Sequence, residues 1–136
     1  MPSKKDLDRF RGDVGETVVA YELLKRGWDV MRNLGGHGYD LLASRARVQR
    51  RVEVKCTDPS RKTGRARNQL TVILSKSEQE AADFLVFYVH GFDTFFVIPR
   101  SAFPTSGSVT VFVGRDGHLT TGTAYERFKN GWSALD

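Results

Sequence analysis

The chain has 136 residues, 40% hydrophobic and 27% charged, enough for one compact domain with one core and too short for two comfortable ones. Its single cysteine, Cys56, excludes an internal disulfide and a cysteine-rich zinc site, and its longest apolar run, residues 84–89, is far too short to cross a membrane. A net charge of +5 and a pI near 9.6 favour a polyanionic partner.

The first ten residues are charged and contain no apolar stretch, so no secretory leader is expected and a cytoplasmic location is the default. Residues 7–26 read as a helix that is apolar on more than one side. Phe10, Val14, Val18 and Tyr21 form one stripe at helical spacing, and Gly12, Glu16, Val19, Ala20 and Leu23 form a second. Glu16 thus falls in an otherwise apolar stripe, where a carboxylate needs a partner. Gly27 stops the helix.

Three short strands follow, over 28–33, 39–45 and 50–57. The turn Gly35-Gly36-His37-Gly38 separates the first two, and 46–49 connects the last two. Residues 58–68 combine Pro59, Gly64 and the cations Arg61, Lys62, Arg65 and Arg67, and read as a mobile basic loop. Residues 69–74 suggest another strand. Ser75-Lys76-Ser77-Glu78 has the S-x-x-E form of a capping box and opens a short helix through Ala82.

The apolar runs 84–89 and 95–98 look like central strands covered on both faces. A strand over 109–113, an Asp116-Gly117 turn and a helical stretch carrying Tyr125, Phe128 and Trp132 complete the chain. The expected fold is α/β: a central mixed sheet with the first helix on one side and the 75–82 helix on the other.

On the strand 50–57, Glu53 and Lys55 point to one face and Val54 and Cys56 to the other, which leaves the thiol buried and inert. A hairpin turning near Arg47 sets Asp40 opposite Lys55 and Glu53 opposite Leu42. The two carboxylates then lie on a diagonal, roughly 7–8 Å apart at the backbone. A slip of one residue would send Asp40 to the other face. A hard cation such as Mg²⁺ takes one or two carboxylates, substrate phosphate and several waters.

Asp40 and Glu53 would be those carboxylates, with the Val54 carbonyl as an extra oxygen and Glu16 holding a second metal or a water on the first. Lys55 would orient the nucleophile and stabilise charge developing on phosphorus. An acid and a lysine alternating on a strand are by themselves more often a solvated face. Asp40 at matching parity and Glu16 in an apolar stripe turn the pattern toward catalysis.

The order Gly15-Glu16, Gly27-Trp28-x-Val30, Gly38-Tyr39-Asp40-Leu41-Leu42 and Val52-Glu53-Val54-Lys55-Cys56-Thr57 resembles the PD-(D/E)xK, restriction-endonuclease-like nucleases. Within them it is most similar to the archaeal-type Holliday junction resolvases, over about residues 9–103 of a single domain, with 104–136 as a C-terminal extension. The resemblance implies Glu16, Asp40, Glu53 and Lys55 as active site and Mg²⁺ as cofactor, with Mn²⁺ as substitute. It also implies a hydrolase of DNA recombination and repair, acting as a two-fold dimer on a four-way junction. Tyr39 replaces the proline of the family motif, and the basic segment 58–68 is long for a compact resolvase. The Tyr39-Asp40 pair and the Tyr125…Trp132 stretch are also similar to small intron-homing nucleases of the same superfamily.

The basic clusters Arg45, Arg47, Arg50, Arg51 and Arg61, Lys62, Arg65, Arg67 flank the expected metal site. Arg9 and Arg11 supply a further grip, and His37 and Gln69 candidate contacts, for phosphates on both sides of a scissile bond. Two other readings stay open: a duplex-cutting restriction- or homing-type enzyme, and a non-catalytic nucleic-acid-binding module.

Overall fold

The computed structural model describes residues 3–35, 38–58, 69–114, 118–120, 122 and 124–136. His37, the cations Arg61, Lys62, Arg65 and Arg67, and the Asp116-Gly117 turn lie outside the described residues.

Helix α1, Lys4–Lys25, begins three residues before its expected start because Ser3 closes a capping box with Asp6. The Ser3 hydroxyl accepts the Asp6 N–H at 3.1 Å and the Asp6 carboxylate accepts the Ser3 N–H at 3.2 Å. The helix ends where the sequence says it should, with Gly27 at φ +87 just past the cap residue Arg26. Strands β1 (Asp29–Arg32), β2 (Leu41–Arg45) and β3 (Val48–Thr57) run antiparallel in turn. The β2–β3 turn is tighter than expected, with Arg45 paired to Val48 and Ala46 in the left-handed region at φ +55.

After the crossover, β5 (Phe84–Val89) lies parallel to β3, and β6 (Phe95–Pro99) returns antiparallel to β5. The resulting five-stranded mixed sheet has the order β1-β2-β3-β5-β6.

β5 is covered on both faces as its sequence requires. β6 is equally apolar but stands at the hydrogen-bonded edge of the sheet. Asn130 shields that edge: its N–H donates to the Phe95 carbonyl at 2.5 Å and its side-chain oxygen accepts the Phe95 N–H at 2.9 Å. The expected C-terminal helix is instead two 3₁₀ turns, Glu126–Phe128 and Trp132–Leu135, one on each side of Asn130. Tyr125 and Phe128 join one core while Trp132 and Leu135 join the other, so the segment straddles the sheet edge rather than lying on one face.

Strand parity sorts the sheet's two faces. Val52, Val54, Phe84, Val86 and Val97 face α1, whose Val19 and Leu23 pack with them together with Trp28, Leu41 and Ala43. Leu85, Phe87, Val89, Phe96 and Ile98 face the other way. That second face is covered chiefly by a small three-stranded sheet, β4 (Gln69–Ile73), β7 (Ser108–Val113) and β8 (Leu119–Thr120), through Leu70, Val109, Val111 and Leu119. Helix α2 (Lys76–Ala81), capped by Ser75 as its sequence reads, lies on this side too but buries none of its residues. Of the two stripes read on α1, the second supplies Val19 and Leu23 to the core, and the first packs against it through Val18. Phe10 and Tyr21 are 65% and 59% exposed, because a helix on one sheet face has only one side to bury.

Candidate active site

Asp40 immediately precedes β2. Its N–H donates at 2.9 Å to the carbonyl of Val52, the residue that pairs with Leu41, so the regular β2–β3 ladder ends at Leu41. Just beyond that last pair, the Asp40 and Glu53 carboxyl groups meet through a hydrogen bond. The expected register, Asp40 opposite Lys55 and Leu42 opposite Glu53, is corrected by two residues, with Leu42 opposite Arg51. The cause is the tight Ala46–Arg47 turn in place of a longer connection. A shift of two preserves the parity of the pairing, so Asp40, Glu53 and Lys55 still share a face. The carboxylates are closer partners than a diagonal would have made them.

Glu53 is 4% exposed, the only buried charged side chain among the described residues. Burial drives its carboxyl up to about 10, with hydrogen bonding to Glu78 and the neighbouring Asp40 acting in the same direction. Glu78 goes the other way, down to about 2. Its own partial burial opposes this, but Glu53, Lys55 and the Ser75 N–H favour its charged form. Burial thus favours the neutral form of Glu53, while Glu78 is favoured as the carboxylate that accepts from it and from Lys55.

Lys55 Nζ donates to Glu78 Oε2 at 2.7 Å and lies 3.5 Å from Glu53 Oε1. Burial works against the ammonium, but Glu78 and then Glu53 hold its pKa above the usual lysine value.

Asp40 also joins the two faces of the sheet. One of its oxygens accepts the Val54 N–H at 2.7 Å, which fixes the carboxylate at the strand end. From there it meets Glu53 on one side and Glu16, reaching in from α1, on the other. Glu16 has the partner its apolar stripe demanded: Arg32 on β1 donates to it at 2.5 Å. Burial raises the Glu16 carboxyl above its ordinary value, as does Asp40, while Arg32 pulls it down. The helix comes this close because Gly15 leaves room. A Cβ there would stand 2.5 Å from Cys56 Sγ and 2.8 Å from its Cβ. Cys56 points to this α1 side, half-buried, and burial pushes its thiol up to about 11, so it stays protonated at neutral pH.

Asp40, Glu53 and Glu78 open into a cleft of about 470 Å³ walled by Asn33, Tyr39, Ser75, Ser77 and Ala81. Gly38, at φ +86, lies so close to the Ala81 side chain that a Cβ would collide with it, which seals the cleft between the β1–β2 turn and α2. Among the described residues no three His, Cys, Asp or Glu side chains already converge as a metal cage. A hard cation does not require one, since it uses one or two carboxylates and retains waters. Asp40 and Glu53 fit that donor set. They face each other, carry oxygen donors only, and crowd carboxyl groups where burial and Asp40 both disfavour the charged form of Glu53. The backbone at Val54 adjoins them, and Glu16 is within reach of Asp40.

Two members of the site escape sequence reasoning. Glu78 reads as a helix cap, and nothing in S-x-x-E signals that the same side chain also holds Lys55. Arg32 sits in an undistinguished edge strand. An unpartnered Glu16 was the one hint that such a cation must exist.

The basic residues divide. Arg45 stacks on Trp28 at 4.2 Å and pairs with Asp136. Arg50 donates to the Leu135 carbonyl at 2.9 Å, and Arg51 pairs with Asp83 at 3.1 Å. Arg9 and Arg47 are exposed, Gln69 is half-buried at the start of β4, and the side chain of Arg11 lies outside the described residues.

Residues 8–129 match a family model described as PD-(D/E)XK endonuclease. No curated protein matches the chain. Among solved structures, the bacterial homing endonuclease I-Ssp6803I is similar over 93% of this chain and 91% of its own, at 22% identity and a TM-score of 0.70. The Holliday junction resolvase Hjc of the archaeal hyperthermophile Archaeoglobus fulgidus is similar over 74% of this chain and 83% of its own, at 21% identity and a TM-score of 0.55.

Proposed function

The chain belongs to the PD-(D/E)XK endonuclease family, and from that premise we propose that it is a metal-dependent DNA endonuclease hydrolysing phosphodiester bonds. The observation that carries this reading is the buried Glu53 facing Asp40 with Lys55 beside them. Asp40, Glu53 and the Val54 carbonyl would hold Mg²⁺ or Mn²⁺, with Glu16 as a further oxygen through Asp40. The cation would supply Lewis-acid stabilisation of phosphate charge and a more acidic water. Lys55 would place its ammonium where negative charge grows on phosphorus, from a site where Glu53 and Glu78 hold it charged. Asp40, fixed by the Val54 N–H, keeps its orientation without rearrangement.

For the target, the likeness to a homing endonuclease spans the second sheet and C-terminal segment as well as the core, and supports duplex DNA. The second reading is the four-way junction cut by a homodimer. It is favoured by an unpartnered outer face of α1, where Phe10, Tyr21 and Leu24 are 65%, 59% and 55% exposed and offer a surface for a second copy. In both, Arg9, Arg47 and the cations Arg61, Lys62, Arg65 and Arg67 of the basic segment would grip phosphates, with Arg11, His37 and Gln69 as further contacts. Affinity should then fall steeply with salt.

The test incubates wild type and Glu53→Ala with a labelled junction and a linear duplex in Mg²⁺. Cleavage of the duplex, lost in the variant, supports the first reading. Symmetric nicks confined to the junction support the second. Tight binding with no cleavage in Mg²⁺ or Mn²⁺ would leave only a binding module.

A further inference from the structure

Lys55 lies between two carboxylates and is nearer to the one the family motif does not contain. Its Nζ is 2.7 Å from Glu78 Oε2, a hydrogen bond, and 3.5 Å from Glu53 Oε1, an ion pair without one. Glu78 is itself held at both ends. Oε1 accepts the Ser75 N–H at 2.8 Å while Oε2 takes the lysine, so the carboxylate is forked between the start of α2 and the centre of β3. A capping box needs only an acceptor at this position, and glutamine serves as well as glutamate. The negative charge of Glu78 is therefore surplus to the cap, and it serves Lys55, the cation it binds at 2.7 Å, as well as the Glu53 carboxyl.

We propose that Glu78 is a positioning residue, which holds the Lys55 ammonium beside the reaction centre but off Glu53, leaving Glu53 open to a cation. The proposal rests on the nuclease reading of Asp40, Glu53 and Lys55. Without Glu78, the carboxylate left nearest to Lys55 is Glu53, on the same face of the same strand. An ammonium closed onto Glu53 competes directly with a metal for its oxygens. The ion pair has a second consequence. Helix α2 buries none of its residues, so the bond from Glu78 to Lys55 ties this wall of the cleft to β3.

The experiment is Mn²⁺ titration by calorimetry without DNA, on wild type, Glu78→Ala, Glu78→Gln, Lys55→Ala and the Glu78→Ala/Lys55→Ala pair, with melting temperatures for each. Both Glu78 variants are expected to weaken Mn²⁺ binding by roughly 10–100-fold, the size typical of groups that orient metal ligands. Glu78→Gln, which keeps the cap acceptor, should melt closer to wild type than Glu78→Ala does. In the Lys55→Ala background the loss should vanish, because no ammonium remains to close on Glu53. An equal loss in that background would make Glu78 a direct ligand and overturn the proposal. A wild-type affinity in Glu78→Gln would reduce Glu78 to a cap and overturn it too. Asp40→Ala separates the levels. If wild type binds Mn²⁺ and this variant does not, a failed Glu78 series counts against the positioning role alone. If wild type binds none, the nuclease reading falls and the proposal with it.

Discussion

Strand β3 and its flanks treat charge in two ways. Around its first half, three of the four arginines are spent on the protein itself: Arg45 on Trp28 and Asp136, Arg50 on the Leu135 carbonyl, and Arg51 on Asp83, while Arg47 is exposed in the turn. Each of those three guanidinium groups meets a ring, a carboxylate or a carbonyl, and the C-terminal segment is fastened to the hairpin as a result. Around its second half, carboxylates gather instead. Among the described residues, Asp40, Glu53, Glu78 and Glu16 have Lys55 and Arg32 as their cations, and burial favours the neutral form of Glu53 although Lys55 lies 3.5 Å from it. A run of charge in the sequence is thus uninformative until its partners are known. The matched half builds structure, and the unmatched half is where, on the nuclease reading, an external cation and an anionic substrate would have something to contribute.

The contrast can be broken at several points. Lys55→Ala should cost the most: a fall of roughly 10²–10³ in turnover, as for loss of one donor to a charged transition state, with a melting temperature near wild type. Single-turnover cleavage at saturating DNA measures it, and unchanged turnover would remove Lys55 from the chemistry. Gly15→Ala should follow, because its methyl group meets Cys56 and pushes α1 with Glu16 off the sheet. A loss of about 1–3 kcal/mol in urea unfolding is expected, and Gly15→Ala combined with Cys56→Ala should recover part of it.

Glu53→Gln should act with the opposite sign. The folded-state pKa of Glu53, about 10, lies above its ordinary 4.5. The stabilisation this gives is complete below pH 4.5 and is lost as pH rises toward 10. The metal-free variant should therefore be more stable than wild type at pH 8, by at least ~1 kcal/mol or about 4 °C, with the gap closing near pH 4. Thermal melts in chelator at the two pH values decide it. Smallest is Arg51→Ala. Its pair with Asp83 is partly exposed, so a loss of about 0.2–1 kcal/mol is expected with cleavage unchanged. A selective loss of DNA affinity at unchanged stability would instead make the first half of β3 a phosphate grip.

Sequence alone determined what depends on local chemistry and on parity. The α1 stop at Gly27, the Ser75 cap, the apolar runs of β5 and β6, and the shared face of Asp40, Glu53 and Lys55 all follow from spacing and side-chain type. Side-chain period along a strand is two, so even a register misjudged by two residues left the site legible. Tertiary structure decided what depends on partners far away in the chain. It fixed which α1 stripe is core, and it turned 69–73 and 108–113 into a second sheet rather than more of the first. It also committed Arg45, Arg50 and Arg51 to the protein and brought Arg32 to Glu16 and Glu78 to Lys55. The physical reason is that the worth of a charge is set by what surrounds it, and no residue carries its surroundings in its own letter.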